Sequence, residues 1–185
     1  AKPVESIDRA VAVLGTEGLR RLVAAAIMQP VFRVRTGHFS RFPDTTWDHA
    51  FRAGIAAETF AALVDDSDPF AAQLLALLLG LGAIIVFRAA MERHVGQGGL
   101  APSPELIALL IDTQAPRAAH AVAASWELSQ GVLTAITEQR EEAAIETLSP
   151  LGRSVRLGRL TGALAVVRTG GGLTDEAALA TLHAA

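Results

Sequence analysis

The run from Phe70 to Phe87, FAAQLLALLLGLGAIIVF, limits the fold of this chain more than any other: it is eighteen residues long and Gln73 is its one clearly polar side chain. Runs of about that length mark the threshold for a membrane span. A helix apolar on every side can equally be the buried spine of a helical domain. Gly80 and Gly82 favour the spine, because each costs roughly 1 kcal/mol relative to Ala inside a helix. The run is therefore expected to form two short helices meeting at Leu79-Gly80-Leu81-Gly82, neither long enough to cross a bilayer. Aromatic belts are also missing, since Trp47 and Trp126 lie far off in sequence and the chain has no Tyr. No membrane span is expected.

Something must cover such a spine, and the rest of the chain supplies amphipathic helices to do so. With 185 residues there is one domain, or one domain and an appendage, and enough chain for a sizeable core. Residues are 51% hydrophobic but only 5% aromatic, so the core is built from Ala, Leu, Val and Ile, a mix that favours helices over sheets. A net charge of -3 offers no general attraction to nucleic acid, and none is expected as a partner. The absence of Cys excludes disulfides, thiolate metal sites and a Cys nucleophile; it accords with a reducing compartment, and a cytoplasmic location is expected. No basic segment followed by an apolar one opens the chain, so no signal peptide is expected, and a start at Ala1 suggests a trimmed fragment.

Ser6 is placed to cap a short helix carrying Ile7, Ala10, Val11 and Leu14, which Gly15 would stop. Thr16 caps the next, with Leu19, Leu22, Val23, Ala26 and Ile27 at the three-and-four spacing of a half-buried face, and Pro30 bends or ends it. From Val31 to Asp44 the period is lost and a loop is expected. A third helix starts at Asp44 or Thr45, with Trp47, Phe51, Ile55, Phe60 and Leu63 on its apolar face, and ends in the acidic turn of Asp65, Asp66 and Asp68. Ser67 or Asp68 caps the spine, with Pro69 at its first position. Gly96 to Pro104 forms a breaker-rich connection, Ser103-Pro104 opens a helix with Leu106, Ile107, Leu110 and Ile111, and Pro116 begins another. Trp126 to Ser129 reads as a turn before a helix with Val132, Leu133 and Ile136. Ser149-Pro150 starts a helix with Val155, Leu160, Leu164 and Val167, Gly170 to Gly172 form a hinge, and Thr174 caps a terminal helix. Nothing alternates for long enough to suggest a strand, so the fold is expected to be all-α.

Three stretches, in this order, resemble one family. Ser6-Ile7-Asp8-Arg9-Ala10-Val11-Ala12-Val13-Leu14-Gly15 with Leu19-Arg20-Arg21-Leu22 is similar to the opening of the HD-related output (HDOD) domains of bacterial signalling proteins. Trp47-Asp48-His49-Ala50 resembles their W-x-H-S helix, and His120 with Trp126-Glu127-Leu128 and Ala135-Ile136 resembles their later H…W-x-L-P…A-I segment. The resemblance implies an HD-domain-like helical bundle over 1–145, with 146–185 as a C-terminal helical extension and with the family's further N-terminal lobe outside this chain. It also implies a lost reaction. Catalytic HD phosphohydrolases bring His and Asp of an L-L-H-D-x-G stretch to a metal, and the corresponding positions here look like Leu79 and Gly80. Replacing two ligands with an alkyl chain and a hydrogen removes the core of a coordination shell. Ser129 stands where the family has Pro, and Gln139 and Arg140 where it often has paired histidines.

Beside the resemblance, the residues offer few chemical groups. His49 and His120 are either relics of a shared site or hydrogen-bonded core histidines. Arg33, Arg35, His38 and Arg41 interleave with Phe32, Phe39 and Phe42, a pattern of single-strand binders that also suits a solvated loop with aromatic anchors. Arg153, Arg156 and Arg159 share a helix face able to take a phosphate or an acidic partner, or simply to meet water. The expectation is a non-enzymatic signalling domain, without metal or cofactor, whose partners are signalling proteins or its own copies. The alternatives are a module holding a ligand or nucleotide in the degenerate cleft without turnover, and a residual metal-dependent phosphohydrolase.

Overall fold

The computed structural model describes residues 7–32, 39–63, 67–96, 102–140 and 144–169. Regular structure among these is entirely helical: α1 (Ile7–Met28), α2 (Phe42–Leu63), α3 (Pro69–Gly96), α4 (Pro104–Ser125), α5 (Gln130–Glu138) and α6 (Pro150–Thr169), with 3-10 turns at Gln29–Phe32 and Ile145–Thr147. The expected cap Ser6, Asp65 and Asp66 of the acidic turn, the Gly170 to Gly172 hinge and the Thr174 helix lie outside the described residues. So do Arg33, Arg35 and His38.

The apolar run is one helix, not two. α3 is 28 residues long, about 42 Å, and passes through Gly80 and Gly82 without a break. Asp68 is its cap, accepting from the Phe70 and Ala71 N–H groups at 2.9 and 3.2 Å, and Pro69 follows it. The glycines serve approach between helices. A Cβ on Gly80 would lie 2.5 Å from the Ala50 Cβ of α2 and 3.3 Å from the Phe32 ring, and one on Gly82 would lie 3.0 Å from the Ala119 N of α4. Packing on both sides thus outweighs their low helix propensity. By length and composition Pro69–His94 could cross a membrane, and 72% of its apolar window is buried inside this fold.

Small residues set the packing elsewhere too, and this corrects three expected faces. α2 turns Ala50, Ala53, Gly54, Ala57 and Ala61 inward, while Ile55 and Leu63 are exposed. Against it lies α6, whose Gly158 and Gly162 leave no space for a side chain: a Cβ on either would stand 2.6 to 2.7 Å from Ala57 or Ala53 atoms. Val155 of α6 is fully buried, but Val167 is exposed. α1 bends at Gly15 (φ 67°, ψ 177°), as the sequence suggests, yet the face bearing Leu19, Leu22, Val23 and Ile27 points outward, and among the described side chains of the helix Ala25 and Met28 are the buried ones. Pro116 does not begin a helix; it lies inside α4, where it has no N–H to return to the Asp112 carbonyl. Its neighbour Ala115 sits at the close approach to Gly82, so contact with α3 carries α4 through the proline.

Aromatic contacts tie the start of α2 to its neighbours. Phe32 is buried and meets Trp47 edge-on, with ring centroids 5.1 Å apart, and Phe42 stacks on Phe87 of α3 at 4.4 Å. α2 itself starts at Phe42, slightly earlier than its sequence signals. After α4, Glu127 adopts a positive φ of 55°, and Ser129 caps α5, accepting from the Val132 N–H at 3.4 Å.

Candidate functional site

Where α2, α3 and α4 meet α6 there is an open cleft of about 710 Å³. α3 forms its floor with Ala76, Leu79, Gly80 and Ala83. Ala108, Leu109, Ile111, Ala115 and Pro116 of α4 make one wall, and Phe42, Thr45, Thr46 and His49 of α2 the other. Asp112, Gln139 and Arg159 complete the lining. Mostly apolar walls with a few convergent polar groups are the usual make-up of a small-molecule site.

His49 is held by α6. Its Nε2 lies 3.1 Å from the Arg159 carbonyl oxygen. A carbonyl can only accept, so Nε2 carries the proton and Nδ1 keeps the lone pair. Burial pushes the His49 pKa below its ordinary value; the backbone hydrogen bond opposes this, the Arg159 charge adds to it, and Asp48 opposes it. The ring is thus a neutral donor already in use.

Arg159, from the stripe read as a helix face, is partly buried and lines the cleft. Burial lowers its pKa from the ordinary value, with Arg156 adding to the effect and Asp112 opposing it. A guanidinium does not give up its proton in a protein, so that cost is borne as a cation in poorly solvating surroundings. Arg156 donates to the Glu138 carbonyl oxygen at 2.7 Å. Arg153, also on α6, is half-buried, and Arg41 is exposed just before α2.

Gln139 is buried at the end of α5 and donates its Nε2 to the carbonyls of Ala135 (3.2 Å) and Gly152 (3.0 Å), while its Oε1 has no partner among the described residues. Glu138, next to it, receives the Ser149 N–H at 3.1 Å and the Ser149 hydroxyl at 2.7 Å, which places its carboxylate at the start of α6. Gly152 makes room for that carboxylate, since a Cβ there would collide with Glu138 Oε2. A smaller hollow of about 480 Å³ shares Asp112 and is lined by Arg117 and Arg140.

The fold brings His49, Leu79, Gly80 and Arg159 to one cleft, but not His120, which is not among its lining residues. The lining has one histidine and one carboxylate, and no group of three His, Cys, Asp or Glu able to hold a metal gathers among the described residues. This donor set does not fit a metal centre. Sequence reasoning missed Asp112, and missed that Gln139 and Arg159 line the same cleft. No signal in the sequence joins those two, since helix packing alone brings them together.

A family model described as HDOD domain matches residues 1–142. No curated protein and no solved structure matches the chain.

Proposed function

The chain belongs to the HDOD domain family, and from that we propose that it is a non-catalytic regulatory domain of cytoplasmic signalling that works by contact with another protein or with its own copies. One observation carries this reading: the outward face of α1, where Leu19, Leu22, Val23 and Ile27 are 39 to 66% exposed at helical spacing, with Val31 at 40% just beyond. A contiguous apolar stripe of this kind on a folded domain marks a contact surface. The cleft supports the absence of turnover, since Leu79 and Gly80 stand in its floor and His49 Nε2 is occupied by a backbone carbonyl.

The test is the pair Leu22→Asp and Ile27→Asp, both at exposed positions. Light scattering after size exclusion and affinity capture from the native cell would be run on wild type and variant. Loss of self-association or of a captured protein, with helicity unchanged, supports the reading; assembly and capture indifferent to both substitutions refute it.

The cleft favours a second reading beside the first, that of a module holding a small ligand without turning it over. Buried Gln139 and half-buried His49 and Arg159 meet an open cleft with mostly apolar walls, where a purely structural core would have closed.

A further inference from the structure

The cleft has a polarity that selects among ligands. Its walls are mainly alanine, leucine, isoleucine, proline and phenylalanine side chains, with Thr45, Thr46 and His49 on the α2 side, and Arg159 is its one cationic side chain. Among the described residues no side chain makes an ion pair or hydrogen bond with that guanidinium. The charges felt by Arg159 are those of Arg156, of like sign, and Asp112, of opposite sign; Asp112 also lines the cleft, so each further negative charge on a ligand is opposed by its carboxylate.

The other polar groups narrow the choice. A phosphate dianion needs several donors aimed at it, and apart from Arg159 and the exposed Thr45 hydroxyl those lining the cleft are committed. Gln139 Nε2 serves two backbone carbonyls, His49 Nε2 serves the Arg159 carbonyl, and the Thr46 hydroxyl donates to the Phe42 carbonyl at 2.7 Å. A carboxylate suits a single guanidinium fork, which can hold both of its oxygens. The apolar floor formed by Ala76, Leu79 and Ala83 has no use for such a head, but suits a hydrocarbon tail.

We propose that the cleft binds a small apolar monocarboxylate, its carboxylate on Arg159 and its hydrocarbon body along Leu79 and the α4 wall. This deepens the reading of the cleft as a ligand site and is independent of the α1 contact. The ligand is held and leaves unchanged.

The test titrates the full chain by calorimetry with butanoate, hexanoate and octanoate, and with octanol, inorganic phosphate and AMP. Affinity should rise with chain length, by up to about fourfold per methylene. Octanoate should bind about tenfold or more tighter than octanol, in keeping with a charge-assisted pair. Arg159→Gln should remove the preference for octanoate over octanol, and Ala108→Trp, an exposed position on the cleft wall, should block every acid while leaving the thermal transition in place. Equal binding of octanol and octanoate, tighter binding of phosphate or AMP, no binding of any acid, or full octanoate affinity in Arg159→Gln would each overturn the proposal. The Leu22→Asp and Ile27→Asp variant keeps the two ideas apart: it should bind octanoate as wild type does, so failure of the α1 contact and failure of the cleft give different patterns.

Discussion

Gly82→Ala separates two accounts of α3 by the sign of its effect. In an isolated helix the change is stabilising by about 0.8 to 1 kcal/mol. In this fold the new methyl would sit 3.0 Å from the Ala119 N and 3.1 Å from the Ala115 carbonyl carbon, and closer still to the Ala115 oxygen. All three are backbone atoms of α4 and cannot rotate away. Overpacking of this kind costs about 1 to 3 kcal/mol, and relief here requires moving a helix, which puts the cost near the top of that range. Subtracting the propensity gain leaves a net loss of about 2 kcal/mol, or roughly 4 to 8 °C in Tm for a domain of this size. Gly131→Ala is the control, because the nearest atom to its new Cβ would be Ser129 Oγ at 3.9 Å; it should be neutral or stabilising by up to about 1 kcal/mol. Urea unfolding followed at 222 nm gives both values, with an unchanged m showing that the folded state is the one affected. If Gly82→Ala proves as stabilising as Gly131→Ala, the close α3 to α4 contact is wrong and the glycine is only a weak point in a helix.

Three further outcomes follow from the same geometry. Gly80→Asp, which puts an acid back at a position read as a lost metal ligand, should cost about 3 kcal/mol or more, since its Cβ would meet Ala50 at 2.5 Å and the Phe32 ring at 3.3 Å, and its carboxylate would start among buried apolar side chains; mass spectrometry of the native protein should show no metal gained. His49 should make stability fall on acidification: its folded pKa lies below the usual 6.5, so the unfolded chain takes up more protons as pH drops through that value. Denaturation midpoints at about pH 7.5 and 5.5 should therefore differ less in His49→Gln than in wild type. Glu138→Ala should lose about 1 to 3 kcal/mol in chemical denaturation, because its carboxylate accepts both the backbone and the hydroxyl of Ser149.

Local signals were legible wherever they act locally. The cap at Asp68, the bend at Gly15, the turn at Trp126 and the start of α6 at Ser149-Pro150 all follow from chemistry within a few residues. Faces proved harder. Periodicity places the larger apolar side chains of α2 inward, but the fold buries its alanines, because helices brought close by Gly158 and Gly162 admit only small residues between them. The same tertiary effect hid the continuity of α3 and α4, where Gly80, Gly82 and Pro116 look like breaks and instead mark points of contact. Leu79, Gly80 and His49 could be tied to one region through the family resemblance. Arg159 could not, since nothing near it in sequence tells which arginine of its stripe turns inward.

The claim on which the rest depends is that this cleft has no metal chemistry. Elemental analysis of protein purified without chelators, paired with assays for nucleotide and cyclic dinucleotide hydrolysis with and without EDTA, tests it most directly. The account predicts metal well below one ion per chain and no chelator-sensitive hydrolysis. About one iron, manganese or zinc per chain, together with hydrolysis that EDTA abolishes, would contradict it.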